Sequence, residues 1–222
     1  MSSSIRDIIR LIEDAQAGAA VEGVDLDALR AQGFDVDHVL YHGSNEVFDS
    51  FDRGKARTAD DIYTTPDPDT AAAYGDIVYI CYGRQDPQAD WIDDYKLVAK
   101  LAETFAEEHY DDIESDEDLQ ALKAEIFQEL LASDPDAFEF DAEDDPRFKA
   151  MKHQIAVTYV ANKISSGDTY EISSRFQDAL MQECWAMGYR TVRFADPSPN
   201  GGGESIAVVF QNADDIVIVG RL

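Results

Sequence analysis

Gly203-Glu204-Ser205-Ile206-Ala207-Val208-Val209-Phe210, with Ile216-Val217-Ile218-Val219 shortly after it, ends the chain in two apolar, β-branched runs. Short runs of this kind, bounded by Gly, Asn and Asp, read as strands. Residues 191–194 make a third, joined to the next by the turn-rich segment Asp196-Pro-Ser-Pro-Asn-Gly-Gly-Gly203. The same signature appears early in the chain, at residues 39–41, 62–65 and 77–82. Around these segments the apolar period lengthens to three and four. Ile5, Ile8, Ile9 and Ile12 share a stripe over residues 4–17, and residues 25–32 read as a short helix ended by Gly33. Leu97, Leu101 and Phe105 mark a helix over residues 96–109; Leu119, Leu122, Ile126 and Leu130 mark one over 119–131. Pro146 opens a further helix, and Ser173-Ser174 cap another that reaches Gly188.

Composition bounds the class. The chain has 222 residues, of which 18 are Lys or Arg and 46 are Asp or Glu, for a formal net charge of −28. With 45% hydrophobic residues and 10% aromatics it carries enough apolar surface for a core. Residues 86–145 hold 22 acidic and three basic residues, so most of the excess charge sits in this helical stretch. It reads as an insertion within one domain spanning residues 1–222. Its acidic linkers are solvated faces, or a surface for partner docking or nucleic-acid mimicry. Phosphate backbones are repelled by such a surface, which disfavours direct nucleic-acid binding. No apolar run approaches the roughly 20 residues a membrane span needs, and no export signal opens the chain; the expectation is a cytoplasmic protein. Cys81 and Cys184 stand in apolar surroundings and read as buried thiols. His38, His109 and His153 show no metal-ligand spacing, so no metal is expected.

Several residues carry chemical interest. Glu204 opens an otherwise apolar strand, where it is either an exposed strand-end acid or a functional one. Tyr41-His42-Gly43-Ser44 leaves a strand and turns, bringing an imidazole, a permissive backbone and a hydroxyl together. Alone, His42 reads equally as a satisfied turn histidine. Tyr63 and Tyr74 stand eleven positions apart, the second on a short helix expected to start at Thr70; they are facing rings or ordinary core tyrosines. Gly201-Gly-Gly203 lies between two strands, so no helix N-terminus completes a phosphate site there.

Together these segments resemble one family, the ADP-ribosyltransferases of the His-Tyr-Glu class, which includes the poly(ADP-ribose) polymerases and small phage and bacterial enzymes. Tyr41-His42-Gly43-Ser44 is similar to the first motif of that class. Ile62-Tyr63-Thr64-Thr65, an Asp-Pro turn and Ala72-Ala73-Tyr74 are similar to the second, and the stretch from Gly203 to Phe210 with Ile216 to the third. The Gly188-Tyr189 helix exit is similar to that of phage-type members. The likeness covers residues 38–82 and 180–219, and departs from the family pattern at Asp61 and Thr64.

The resemblance implies an α+β fold of two small packed β-sheets with peripheral helices, interrupted here by the acidic helical insertion at 86–145. It implies a mono-ADP-ribosyltransferase with NAD as co-substrate. Glu204, His42 and Tyr63 would be catalytic, with Glu204 bonding the nicotinamide ribose and stabilising an oxocarbenium-like state. His42, Gly43, Ser44, Tyr63, Thr65 and Tyr74 would hold the dinucleotide, the two tyrosines enclosing its nicotinamide ring. A chain at −28 must offset its repulsion of the pyrophosphate. Arg53-Gly-Lys55-Ala-Arg57 is the densest basic stretch, so Arg53 and Arg57 either meet that anion or solubilise a loop. The acceptor is expected to be a protein, a basic nucleic-acid-binding protein among the candidates, as for a phage-type inhibitor of a host system. Two rivals stand beside this reading: NAD hydrolysis with water as acceptor, and a non-catalytic acidic binding protein or nucleic-acid mimic.

Overall fold

The computed structural model describes residues 23–52, 61–114, 116–133, 146–167, 174–197 and 204–222. The helix expected over residues 4–17, the cations Arg53, Lys55 and Arg57, the acidic linker 134–145, Ser173 and Gly201 to Gly203 lie outside the described residues. The fold is mixed α+β, with two small sheets and peripheral helices. The chain divides into two compact units, Met1–Ile92 with Met181–Leu222, and Asp93–Leu180.

The first unit holds both sheets. Strands β1 (Asp35–Ser44), β3 (Ile77–Gly83) and β7 (Ile216–Arg221) form one, in the order β1-β3-β7. Strands β2 (Ile62–Thr64), β6 (Glu204–Phe210), β5 (Thr191–Pro197) and β4 (Gln88–Asp90) form the other, in that order. All pairs are antiparallel except β4 with β5. Period-two alternation gives β6 two apolar faces. Phe210 and Val208 join Ile62 from their own sheet and Leu40, Tyr79, Cys81 and Ile216 from the other, so the sheets pack face to face through one cluster. Val209 and Ala207, also buried, point the opposite way. Gly83 is required by this packing, because a Cβ there would lie 2.1 Å from the Phe210 ring.

Two short helices cover the far face of the three-stranded sheet. Helix α1 (Leu26–Ala31) is capped by Asp25, whose side chain accepts from the Ala28 N–H at 3.0 Å, and ends at Gly33 with φ of +87°. Its Leu26 and Leu29 pack on Phe34, Val36 and Tyr82. Helix α2 (Pro68–Ala72) starts two residues before the expected Thr70. Asp67 accepts from the backbone N–H of Asp69 and Thr70, and Pro68 gives up no hydrogen bond in the first turn.

The second unit is helical: α3 (Tyr95–Glu108), α4 (Tyr110–Ile113), α5 (Glu117–Ser133), α6 (Pro146–Ser166) and the start of α7 (Ser174–Ala186). Asp94 caps α3 through the N–H groups of Lys96 and Leu97. The stripe Leu97, Leu101 and Phe105 is buried as its spacing requires, and Phe105 meets Phe176 edge to face at 4.2 Å. Among the described residues no helix is long and apolar enough to cross a membrane.

Candidate functional site

Strand β1 lies at a sheet edge, and its open side is where the first two motifs meet. Tyr41 and Thr65 exchange backbone hydrogen bonds at 2.7 and 2.9 Å, which ties β1 to the end of β2. Backbone groups two residues apart in a strand point the same way, so Gly43 also turns its N–H and C=O away from β3. Its opposite number Val78 agrees, since the Val78 carbonyl accepts from the Leu222 N–H on the β7 side. Gly43 therefore presents a donor and an acceptor side by side on an edge where, among the described residues, no other strand pairs with it.

Only glycine fits at that position. A Cβ would lie 1.8 Å from the Ala71 carbonyl oxygen and 3.2 Å from the Tyr74 Cβ. Helix α2 thus presses its last turn against β1 and sets Tyr74 beside Gly43.

His42 sits between Phe48, Phe51 and Tyr79, with ring centroids 6.0, 5.0 and 6.3 Å away. Its Nδ1 lies 2.8 Å from the Tyr63 carbonyl oxygen, which can only accept, so Nδ1 carries the proton and Nε2 is left as an acceptor in the neutral ring. Burial holds the imidazole below its ordinary value, and the Tyr63 bond opposes that shift without cancelling it. His42 and Tyr63 are thus joined, but through Tyr63's backbone.

The Tyr63 ring goes elsewhere. It is 38% exposed, and its hydroxyl donates to the Met181 sulfur of α7 at 3.8 Å. The Tyr74 ring is 52% exposed, and its hydroxyl donates to Asp196 Oδ2 at 3.2 Å. Neither tyrosine is a core residue. Ser44 accepts at its hydroxyl from the Glu46 N–H, and Thr65 from the Asp67 N–H, so both serve local turns while keeping an O–H to donate.

The third motif arrives on β6. Its first residue, Glu204, pairs with Pro197 of β5, and Ser205 pairs with Asp196. The Glu204 carboxyl, like Arg53 and Arg57, lies outside what the structure describes. Asp196 is half-buried, which pushes its carboxyl above the usual carboxylate range, while the Tyr74 bond pulls it back. Burial, then the charge of Asp196, pushes Tyr74 up to about 12. Asp196 links the second motif to the strand end where Glu204 stands. Sequence reading passes over it as the start of a loop, and no local signal marks it, because its partner is 122 positions away.

A cleft of about 1030 Å³ adjoins these residues. Its walls include His38, Leu40, Gln85, Arg193, Ile206 and Val208, and it runs along β1 as far as Tyr41, stopping short of His42. The cavity thus takes Tyr41 from the first motif and Ile206 and Val208 from the third as wall residues, while His42, Gly43, Tyr63 and Tyr74 are not among its walls.

No protein-family model matches this chain, and no curated protein matches it. Among solved structures it is similar to one described as the crystal structure of an anti-CRISPR protein, at 12% identity and a TM-score of 0.30. That likeness covers 82% of this chain and 94% of the other. A resemblance so distant leaves the reading to this chain's own residues.

Proposed function

We propose that this chain is a mono-ADP-ribosyltransferase that cleaves the nicotinamide–ribose bond of NAD and passes ADP-ribose to a macromolecular acceptor, preferentially a protein. The observation that carries the reading is the gathering of His42, Gly43, Tyr74 and the start of β6 around one strand edge, from segments up to 162 positions apart (42 to 204). The donor and acceptor of Gly43 match a carboxamide, which offers one of each. The neutral His42 ring offers Nε2 to a ribose hydroxyl. The half-exposed Tyr74 ring offers an apolar face to a planar heterocycle. NAD supplies a good leaving group on a ribose that gains positive charge as the bond breaks, and Glu204 is the residue assigned to stabilise that charge.

The decisive experiment is incubation of the purified chain with NAD and cell lysate, followed by intact-mass analysis of the proteins. An added ADP-ribose mass on a lysate protein is expected. Glu204→Gln should lower its appearance by roughly a hundredfold or more. Free ADP-ribose without an adduct would convert the reading to NAD hydrolysis, and neither product would leave an acidic binding protein.

A further inference from the structure

We infer that Tyr74 and Asp196 form a subsite selective for a planar aromatic cation over its neutral isostere. This rests on the reading just given in one respect: in an NAD site, the ligand selected is the oxidised pyridinium ring, against the neutral ring of the reduced dinucleotide.

Three observations carry it. The Tyr74 ring is half exposed and stands beside Gly43, whose backbone donor and acceptor face an open edge, so a flat ligand held there lies against the phenol. The phenol donates its proton to the Asp196 carboxylate, and a donor bond to an anion pushes electron density back into the ring. That deepens the negative face which attracts cations. Asp196 itself is half-buried, and among the described residues no Lys, Arg or His pairs with it. Among the described residues its charge is therefore unbalanced, and a bound cation would supply the balance. A neutral ring of the same shape gains the stacking area but neither electrostatic contribution. The proton stays on the phenol, because Tyr74 is held far above neutral pH.

Asp196→Asn is the informative variant, since the amide oxygen still accepts from Tyr74 and keeps the ring in place while the charge goes. Calorimetry or ligand-observed NMR at about pH 8, where a carboxylate is ionised, would compare 1-methylnicotinamide, a permanent cation, with neutral nicotinamide. The native chain should prefer the cation by roughly tenfold, and Asp196→Asn should bring the ratio close to one, with its Tm retained as the check on folding. NAD against its reduced form is the second pair, for use where the fragments bind too weakly to quantify. Equal binding within both pairs, an unchanged ratio in Asp196→Asn, or no binding of any of the four overturns the inference. Cation preference without ADP-ribose release would sink the enzymatic reading and leave this subsite standing. ADP-ribose release with no preference would do the reverse.

Discussion

His42 holds its proton on Nδ1 for the Tyr63 carbonyl and is packed among three aromatic rings, so the charged imidazolium is disfavoured in the folded chain. The consequence for stability has a definite sign. An unfolded histidine takes up its proton near 6.5, whereas the folded one does so only at lower pH. Below 6.5 the unfolded state therefore binds more protons, and stability is lost as pH falls until the folded value is passed. Urea titrations at about pH 7 and about pH 5 should show a larger loss in the native chain than in His42→Gln. Equal losses would mean that the imidazole is solvated. The many carboxylates shift both proteins alike, which is why the comparison with the variant isolates the one residue.

At the scale of elements, β6 carries the fold because both of its faces are buried. Phe210 is fully enclosed, with Gly83 beneath its ring. Phe210→Ala should cost about 3–5 kcal/mol, read as a shift in the urea midpoint, and a loss below 1 kcal/mol would show that the sheets do not pack through it. This strand was legible from sequence because five successive apolar residues leave little choice, and the same holds for β3, β7 and the stripe on α3. Strand β1 was legible only at residues 39–41. Its first half, Asp35-Val36-Asp37-His38, carries alternate acids, and its register against β3 shifts between Asp35 and Leu40. Strand β4 was not legible at all. Gln88-Ala89-Asp90 has no apolar run, and its partner β5 lies a hundred positions on; what stabilises it is pairing, with Arg193 bonded to Asp90 at 2.7 Å. The candidate site divides in the same way. His42, Gly43 and Tyr74 could be singled out because each sits at a local change of pattern, whereas Asp196 becomes visible only once α2 and β5 are brought together.

For the whole molecule the governing quantity is charge. At −28 the folded chain repels itself, and screening should relieve that repulsion. Raising sodium chloride from about 0.05 to about 0.5 M should raise Tm, by about 2–4 °C for each kcal/mol of repulsion removed. A Tm that fell with salt would show that attractive pairs such as Lys163 with Asp118, and Asp215 with Arg190 and Arg84, outweigh the excess of acid. The two cysteines take no part in this balance, as burial pushes both thiols up, Cys184 to about 11.

Cys184 has a further significance through its neighbour. The Trp91 indole N–H reaches its sulfur at 3.4 Å, so the polypeptide departs from the sheet-bearing unit and comes back to it at adjoining points. A segment whose two ends stand side by side can be lengthened, shortened or exchanged without moving the framework that receives it. The excursion thus leaves by the turn at residues 91–93 and returns within α7, and between those two points it is free to diversify in sequence and charge while the strands keep their register.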